Sequence, residues 1–199
     1  MNAVMNRKRQ IIQDPPVAKF LLSDPRASIL WLIIRVYVGW QWIDAGLHKV
    51  SDPAWVSTGE AVQGFWTRAV AIPEVGRPAI SFDWYRSFLE YMISIEAYTY
   101  MAPLIAWGEL LIGIALVLGV FTGISAFLGG LLNFNFMLAG TASTNPVLFI
   151  LSIGLIMAWK VSGYIGLDYF LLNMLGTPWR AKSVDVETTA TDYGTPAKA

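Results

Sequence analysis

The chain has 199 residues, of which 55% are hydrophobic and 14% are charged, and its formal net charge at pH 7 is zero. This composition, with a mean hydropathy of +0.51, is too apolar for an ordinary soluble domain and indicates a small all-α integral membrane protein. The balanced charge gives no support to nucleic-acid binding, and a sequence without cysteine excludes disulfides and thiolate metal sites, so redox chemistry would need a bound cofactor, a quinone or another subunit.

Residues 1–26 are predicted to form a cytoplasmic N-terminal tail. The basic cluster at 7–9 is not followed by the apolar region and small-residue cleavage site of a signal peptide. Asp24 followed by Pro25 is typical of a helix start, because proline suits the first helical turn.

The segment 27–48 is the first predicted membrane span, and it carries charged side chains. A helix of about 20 residues crosses a hydrocarbon core of roughly 30 Å. Arg35 would lie inside that core, at a cost of at least a few kcal/mol unless it is paired or hydrated. At about 100° per residue, one face of this helix collects Trp31, Arg35, Gly39, Trp42, Gly46 and Lys49.

A second face of the same helix carries Asp44 and His48, the only histidine in the chain. The two side chains are one turn apart, so the carboxylate can hold the imidazole in one tautomer and raise its basicity. The alternative is that His48 is an interfacial polar residue without a chemical role.

The segment 49–100 is predicted to be a long external loop. It alternates glycine and proline with aromatic residues, which favours short amphipathic helices at the membrane interface, near 65–72 and 84–101. A merely structural cap over the helices is the alternative interpretation.

Three more spans are predicted, at 101–121, 124–139 and 147–163. Glu109 is the only charge in the first of them, and Asn133 and Asn135 point to nearly opposite sides of the next, so at most one faces Glu109. The tail 175–199 is polar and is predicted to be disordered after Trp179.

Lysine and arginine predict the orientation. The N-terminal tail has five of these basic residues and the region from Lys160 onward has four. The external loop also has four, but they are spread over a long segment, and basic residues in long loops have less influence on orientation. The fold prediction is therefore a four-transmembrane-helix bundle in the plasma (inner) membrane with both termini cytoplasmic.

Arg35 and Glu109 are the only opposite charges well inside the apolar segments, and we expect them to pair, because pairing relieves two desolvation costs. The pair could simply fix helix register. It could instead line a pocket for an anionic or quinoid ligand, with Arg35 donating hydrogen bonds and Glu109 moving a proton. Asp44 and His48 suit proton transfer to a quinone, and Lys49 suits attraction of a small dianion.

The candidate site residues follow from these features. The candidate catalytic residues are Glu109, His48 and Asp44, and the candidate substrate-binding residues are Arg35, Lys49 and Asn133. No metal site is predicted, and the suspected cofactor is a quinone that acts as electron acceptor. The expected partners are membrane lipid and either a second subunit or further copies of the chain.

The order of several separated motifs resembles the DoxX/DoxD family. These motifs are WIDAGLHKV, WYRSFLEYM, AWGELLIGIALVLGVFTG, NFNFMLAGTASTNP and GYIGLDYFLL. The resemblance covers Ile33 to Leu172 and is greatest to the branch of the large membrane subunit of thiosulfate dehydrogenase (quinone). It implies a four-helix membrane bundle, oxidation of thiosulfate to tetrathionate with electrons passed to quinone, and a partner subunit.

The family's recurrent positions correspond here to Arg35, Gly46, Lys49, Gly108, Glu109, Gly113, Gly119, Asn133, Asn145 and Asp168. Locally, we expect Asp168 to lie in an amphipathic segment at the membrane surface, where the fourth helix breaks at Gly163 and Gly166.

Two functions remain open from the sequence. One is a membrane subunit of a quinone-linked oxidoreductase acting on thiosulfate or a similar small sulfur anion. The other is a non-catalytic membrane subunit that stabilises or assembles a larger complex. Convergence of Arg35, Glu109, His48 and the long loop on one cavity favours the first, and scattered, individually satisfied charges favour the second.

A small transporter is a weaker third possibility, because four helices without an evident internal repeat give little basis for alternating access.

Overall fold

The computed structural model describes residues 14–174, and all regular structure within that range is helical. A 3-10 turn, Pro25–Ala27, precedes the longest helix. The α-helices are α1 (Pro16–Ser23), α2 (Ser28–Val50), α3 (Pro53–Val56), α4 (Glu60–Val70), α5 (Asp83–Ser94), α6 (Tyr98–Leu118), α7 (Thr122–Leu138), α8 (Asn145–Met157), α9 (Trp159–Ser162) and α10 (Asp168–Met174).

Four long helices pack in a ring. Helix α2 lies along α6 and α7 along α8, while contacts of α6 with α7 and of α8 with α2 close the ring. Among the described residues only α6 is both long and apolar enough to cross a membrane by length and composition, and α7 and α8 are apolar but shorter. The predicted all-helical fold is confirmed.

The α2–α6 contact is a close approach of two backbones. A Cβ atom on Gly46 would lie 2.6 Å from the Leu110 nitrogen, and one on Gly113 would lie 2.6 Å from the Ile43 nitrogen. The face of α2 predicted from its periodicity is the buried one. Its buried residues include Trp31, Arg35, Gly39, Trp42 and Gly46. Glycine at these positions therefore sets the distance between the two helices.

The long segment after α2 folds over one end of the bundle. Its two longer helices, α4 and α5, occupy the region where short amphipathic helices are predicted. Together with the start of α6 they form a hydrophobic core of their own. The loop after α7 lies at this same end, because a Cβ on Gly140 would be 2.7 Å from the Ala79 carbonyl oxygen. This end is called the loop end below.

The opposite end, called the turn end, holds the tight connection between α6 and α7. Helix α1, which lies in the segment interpreted from sequence as a tail, packs there against α9. The predicted polar tail at 175–199 and the basic cluster at 7–9 lie outside the described residues.

Candidate functional site

A buried ion pair joins α2 to α6 near the loop end. Glu109 is fully inaccessible, and Lys49 donates to both of its carboxylate oxygens, at 2.6 Å to Oε1. The Lys49 side chain keeps 20% of its surface exposed. The close approach at Gly46, one turn before Lys49, brings the ammonium within reach of the carboxylate.

The predicted pairing of Arg35 with Glu109 is wrong. Arg35 precedes Lys49 by four helical turns on α2, which is about 21 Å along the helix axis. Since α2 and α6 run in opposite directions, Arg35 reaches the end of α6, where a Cβ on Gly119 would lie 2.2 Å from its Nη1. The reason for the prediction holds, because a buried charge needs a partner. The partner of Glu109, however, is Lys49 and not Arg35.

Two aromatic rings surround the Lys49 ammonium. The Nζ atom lies 4.8 Å from the centre of the Trp55 ring and 5.4 Å from the centre of the Phe136 ring. Trp55 belongs to the predicted loop and Phe136 to α7. Attraction of a cation to ring faces strengthens as water is excluded, so these rings help to hold Lys49 beside Glu109.

An apolar pocket of about 540 Å³ adjoins this cation. Its wall includes Trp55 and Phe136, and residues from α4, α5, α6 and α7 complete it. These are Val62, Phe65, Trp66, Tyr85, Phe88, Leu89, Met92, Met101, Leu104, Ile105, Gly108, Leu111, Ile112, Leu128, Leu131, Leu132 and Asn135.

The polar side chains in the wall of this pocket are Tyr85 and Asn135. The Tyr85 hydroxyl donates to the Asn135 backbone oxygen at 3.1 Å and lies 3.3 Å from its Oδ1. Burial raises the pKa of the Tyr85 phenol, so the hydroxyl stays protonated at neutral pH and remains a hydrogen-bond donor.

Asp44 and His48 lie outside the pocket. Their closest atoms, Oδ1 and Nε2, are 3.8 Å apart, and their side chains are 64% and 82% exposed. They are on the outer face of α2, away from Glu109. The predicted proximity of the two residues is confirmed. His48 and Arg35 do not converge with Glu109 on one cavity, which is the arrangement that favours a non-catalytic subunit.

Arg35 takes part in a second buried polar cluster at the turn end. Its Nη1 donates to the Ser162 oxygen at 3.0 Å, and its Nη2 donates to the Ile165 oxygen at 2.6 Å. The carboxylate of Asp168, which attracts Arg35 electrostatically, accepts the backbone N–H groups of Phe121 at 2.5 Å and Thr122 at 2.8 Å.

The Asp168 side chain is thus buried inside the protein, while the location of its segment at the membrane surface stays a prediction. The side chain is buried against the first turn of α7, where a carboxylate satisfies free N–H groups and favours the helix dipole. Gly163 leaves space for this carboxylate, because a Cβ there would lie 2.6 Å from the Asp168 Oδ2. A glycine five residues before the aspartate is the part of this arrangement that is visible in the sequence.

Asn133 lies inside the bundle at the depth of Glu109. Ile112, one turn after Glu109, is within 3.4 Å of a Cβ placed on Gly129, which is one turn before Asn133. Because α6 and α7 are antiparallel, Glu109 and Asn133 are level. Among residues 14–174, neither polar atom of the Asn133 side chain has a hydrogen-bond partner.

Sequence comparison gives one informative match. The family model described as DoxX matches residues 30–142, which is more than half of the chain and includes Arg35, Lys49, Glu109 and Asn133. No curated protein and no solved structure matches.

Proposed function

The chain belongs to the DoxX family, a family of membrane proteins, and from this premise we propose that it is the membrane subunit of a quinone-linked oxidoreductase acting on thiosulfate or a similar small sulfur anion. The observation that best supports this function is a shared wall. Trp55 and Phe136 line the apolar pocket and also flank the Lys49 ammonium that is paired with buried Glu109.

The pocket fits a quinone in size and chemistry. Its volume of about 540 Å³ lies within the range of roughly 300–1,000 Å³ that is common for small-molecule sites, which are mostly apolar with a few polar groups. The aromatic and aliphatic wall suits a quinone ring and an isoprenoid tail. Tyr85 and Asn135, which are hydrogen-bonded to each other, place a few polar atoms at one side of the wall, and Lys49 is the nearest cation beside the pocket among the described residues.

Reduction of a quinone requires protons as well as electrons, and we propose that this site delivers the protons. Two thiosulfate ions lose one electron each when the sulfur–sulfur bond of tetrathionate forms, and a quinone takes up two electrons and two protons. We assign proton transfer to Glu109, whose partner Lys49 lies against Trp55 and Phe136 of the pocket wall. Asp44 and His48, exposed on the last turns of α2, are proposed to exchange protons with water.

Lys49 rather than Arg35 is the proposed contact for the sulfur anion. The terminal nitrogens of Arg35 already donate to two backbone oxygens at the turn end, whereas Lys49 keeps part of its surface exposed at the loop end. The chain contains no cysteine, so we propose that a partner subunit completes the thiosulfate site at Lys49 and passes the electrons of thiosulfate to the quinone.

The proposed arrangement in the plasma membrane has four spans, formed by α2, α6, α7 and α8 continued by α9. Successive helices in this set run in opposite directions and end alternately at the turn end and the loop end. Both ends of the described chain then lie on one side, which we propose to be cytoplasmic.

The test is thiosulfate-dependent quinone reduction in native membranes that contain the natural partners. We expect Glu109→Gln to reduce the rate at least tenfold, because the amide carries no exchangeable carboxyl proton. Glu90→Gln, at an exposed position on α5, is the matched control and keeps the wild-type rate. An unchanged rate in Glu109→Gln, with the protein present in equal amount, would contradict the proposed site.

A second candidate is a non-catalytic subunit that stabilises a larger membrane complex. It is favoured by the scatter of the charged residues, since Arg35 and His48 do not converge with Glu109 on one cavity. It is also favoured by the turn end, where Arg35 and Asp168 are held by backbone groups and contribute structure without an adjacent pocket. Under this alternative, native membranes show no thiosulfate-dependent reduction, and deletion of the chain lowers the amount of the complex with which it copurifies.

A further inference from the structure

Six side chains in the described part of the chain have buried polar atoms without a hydrogen-bond partner, among them Arg35 and Thr122 at the turn end and Arg86 on α5. The other three lie deeper in the bundle, away from the turn end. They are the Trp42 Nε1, both the Nδ2 and Oδ1 of Asn133, and the Ser152 Oγ. Asn133 and Ser152 are completely inaccessible and Trp42 nearly so. An unsatisfied buried polar group costs about 1–3 kcal/mol, and nearly all such groups in native proteins have a protein or water partner.

These side chains come from three helices and lie within about one helical turn of each other along the bundle. A Cβ on Gly129 of α7 would lie 2.8 Å from the Trp42 Nε1, and a Cβ on Gly130 would lie 3.5 Å from the Ser152 Cβ. Asn133 is one turn further along the same face of α7. Its backbone position is therefore about 4.5 to 6 Å along the helix axis from Gly130 and Gly129, where the two neighbours lie.

We propose that Trp42, Asn133 and Ser152 form a buried hydration site that binds ordered water inside the bundle. The indole can only donate, the hydroxyl can donate and accept, and the amide offers both functions. A ligand for this set must be small and must both donate and accept, which water does. A Cβ on Gly130 would make only ordinary contacts with Ser152, so packing is looser there than at Gly129, and the unpartnered atoms are the kind of partners that buried water uses.

Ions fit this donor set less well than water. The indole and amide N–H groups repel a cation, and two side-chain oxygens are too few for a hard metal ion. An anion would be buried at the depth of the Glu109 carboxylate and would repel it. Water avoids both costs.

An apolar layer separates this site from the Arg35 cluster. Val38, Leu116, Ala126 and Leu155 are fully buried, and each lies on its own helix between the two polar regions. The hydration site is thus confined to the half of the bundle that contains Glu109. It does not depend on the proposed quinone chemistry, since it rests on the unpartnered atoms alone.

Radiolytic hydroxyl labelling with mass spectrometry tests the proposal on the full chain in lipid nanodiscs, because radicals form from water held next to a side chain. Trp31 is the internal reference, since its Nε1 donates to the Leu21 oxygen at 2.7 Å. Trp31 is 8% exposed and Trp42 only 3%. We expect Trp42 to be oxidised several-fold faster than Trp31, despite its deeper burial.

Variants locate the water. Asn133→Leu and the milder Ser152→Ala are expected to lower oxidation of Trp42 towards that of Trp31, whereas Asn135→Leu, on the opposite side of α7, leaves it unchanged. Oxidation of wild-type Trp42 no faster than that of Trp31 would overturn the proposal, whether or not the variants fold.

Discussion

Glu109 is a carboxylate without accessible surface, and Lys49 is the one side chain recorded as its partner in the described range. A charge in such a position is stable only while it is paired, since removal of one partner leaves the other desolvated and uncompensated. The two residues should therefore be strongly coupled in stability, and this coupling is measurable.

We expect Lys49→Met to lower the free energy of unfolding by about 3 kcal/mol, because it leaves Glu109 buried without its partner. The double variant Lys49→Met/Glu109→Leu should lose less than the sum of the single variants, with a coupling of at least about 1 kcal/mol. Denaturant unfolding in detergent measures all three. Strict additivity would contradict the pairing.

The matched control for this cycle is Arg35→Leu combined with Glu109→Leu. Arg35 contacts the turn end, so it shares no partner with Glu109, and effects at separate sites add to within about 0.5 kcal/mol.

Asp168 holds the first turn of α7 with two backbone hydrogen bonds. We expect Asp168→Ala to destabilise the protein by about 3 kcal/mol or more, because it also leaves the buried Arg35 without its nearby carboxylate. Thermal unfolding in detergent measures the effect. Asp44→Ala, at an exposed position, is the control and should change stability by about 0.5 kcal/mol or less; equal effects of the two variants would contradict the cap.

The faces of single residues could be predicted from the sequence, but their partners could not. Periodicity places Arg35 and Lys49 on one face of α2, and the structure buries Arg35 fully and Lys49 partly on that face. Which of them meets Glu109 depends on how far α6 is shifted along α2. The glycine contacts at Gly46 and Gly113 determine that shift, and neither helix encodes it alone.

At the scale of helices, the α2–α6 contact depends on small side chains. Gly113→Ala would place a methyl group 2.6 Å from the Ile43 nitrogen and 2.7 Å from the Gly39 oxygen. Backbone atoms cannot move aside cheaply, so we expect a loss of about 1–3 kcal/mol, the usual cost of overpacking.

Gly108→Ala is the matched control on the same helix, since nothing lies within 4 Å of its added Cβ. It should be neutral or stabilise by about 0.5–1 kcal/mol through helix propensity. Thermal unfolding of both variants in one detergent gives the comparison. Equal stability of the two proteins would mean that α2 and α6 do not approach as closely as described.

Helices α4 and α5 show what local pattern predicts and what it omits. The alternation of breakers with aromatic residues predicts short amphipathic helices in the loop, and both are present. The pocket, however, forms only because these helices fold back on α6 and α7, which brings Trp55 and Tyr85 beside Phe136 and Asn135. Such contacts between distant segments leave no local signal.

The pocket can be filled without touching the ion pair. Gly108→Phe projects a ring into the open space at the pocket wall, so we expect it to weaken quinone binding at least tenfold while the protein stays folded. Equilibrium binding of a quinone with a short isoprenoid tail to the purified protein measures this. Leu118→Phe, at an exposed position at the end of α6, is the control, and equal affinity of both variants would place the quinone elsewhere.

At the scale of the whole molecule, the alternation of α2, α6, α7 and α8 determines which loops share an end. The loop end carries the α4–α5 segment and the connection after α7, which touch between Ala79 and Gly140. The turn end carries α1 and α9. The sequence already predicted this grouping from the number of apolar segments, because an even number of spans returns the chain to the side on which it began.

The absence of cysteine makes the orientation directly measurable with single-cysteine variants. Val75 and Ala142 are exposed at the loop end, and Val17 is exposed on α1 at the turn end. If the lysine and arginine distribution sets the orientation, Val75→Cys and Ala142→Cys react with a membrane-impermeant maleimide in intact cells, whereas Val17→Cys reacts only after permeabilisation. Reaction of Val17→Cys alone in intact cells would reverse the orientation. Reaction of Val75→Cys without Ala142→Cys would mean that α6 and α7 do not together cross the membrane twice, since the two loops would then lie on opposite sides.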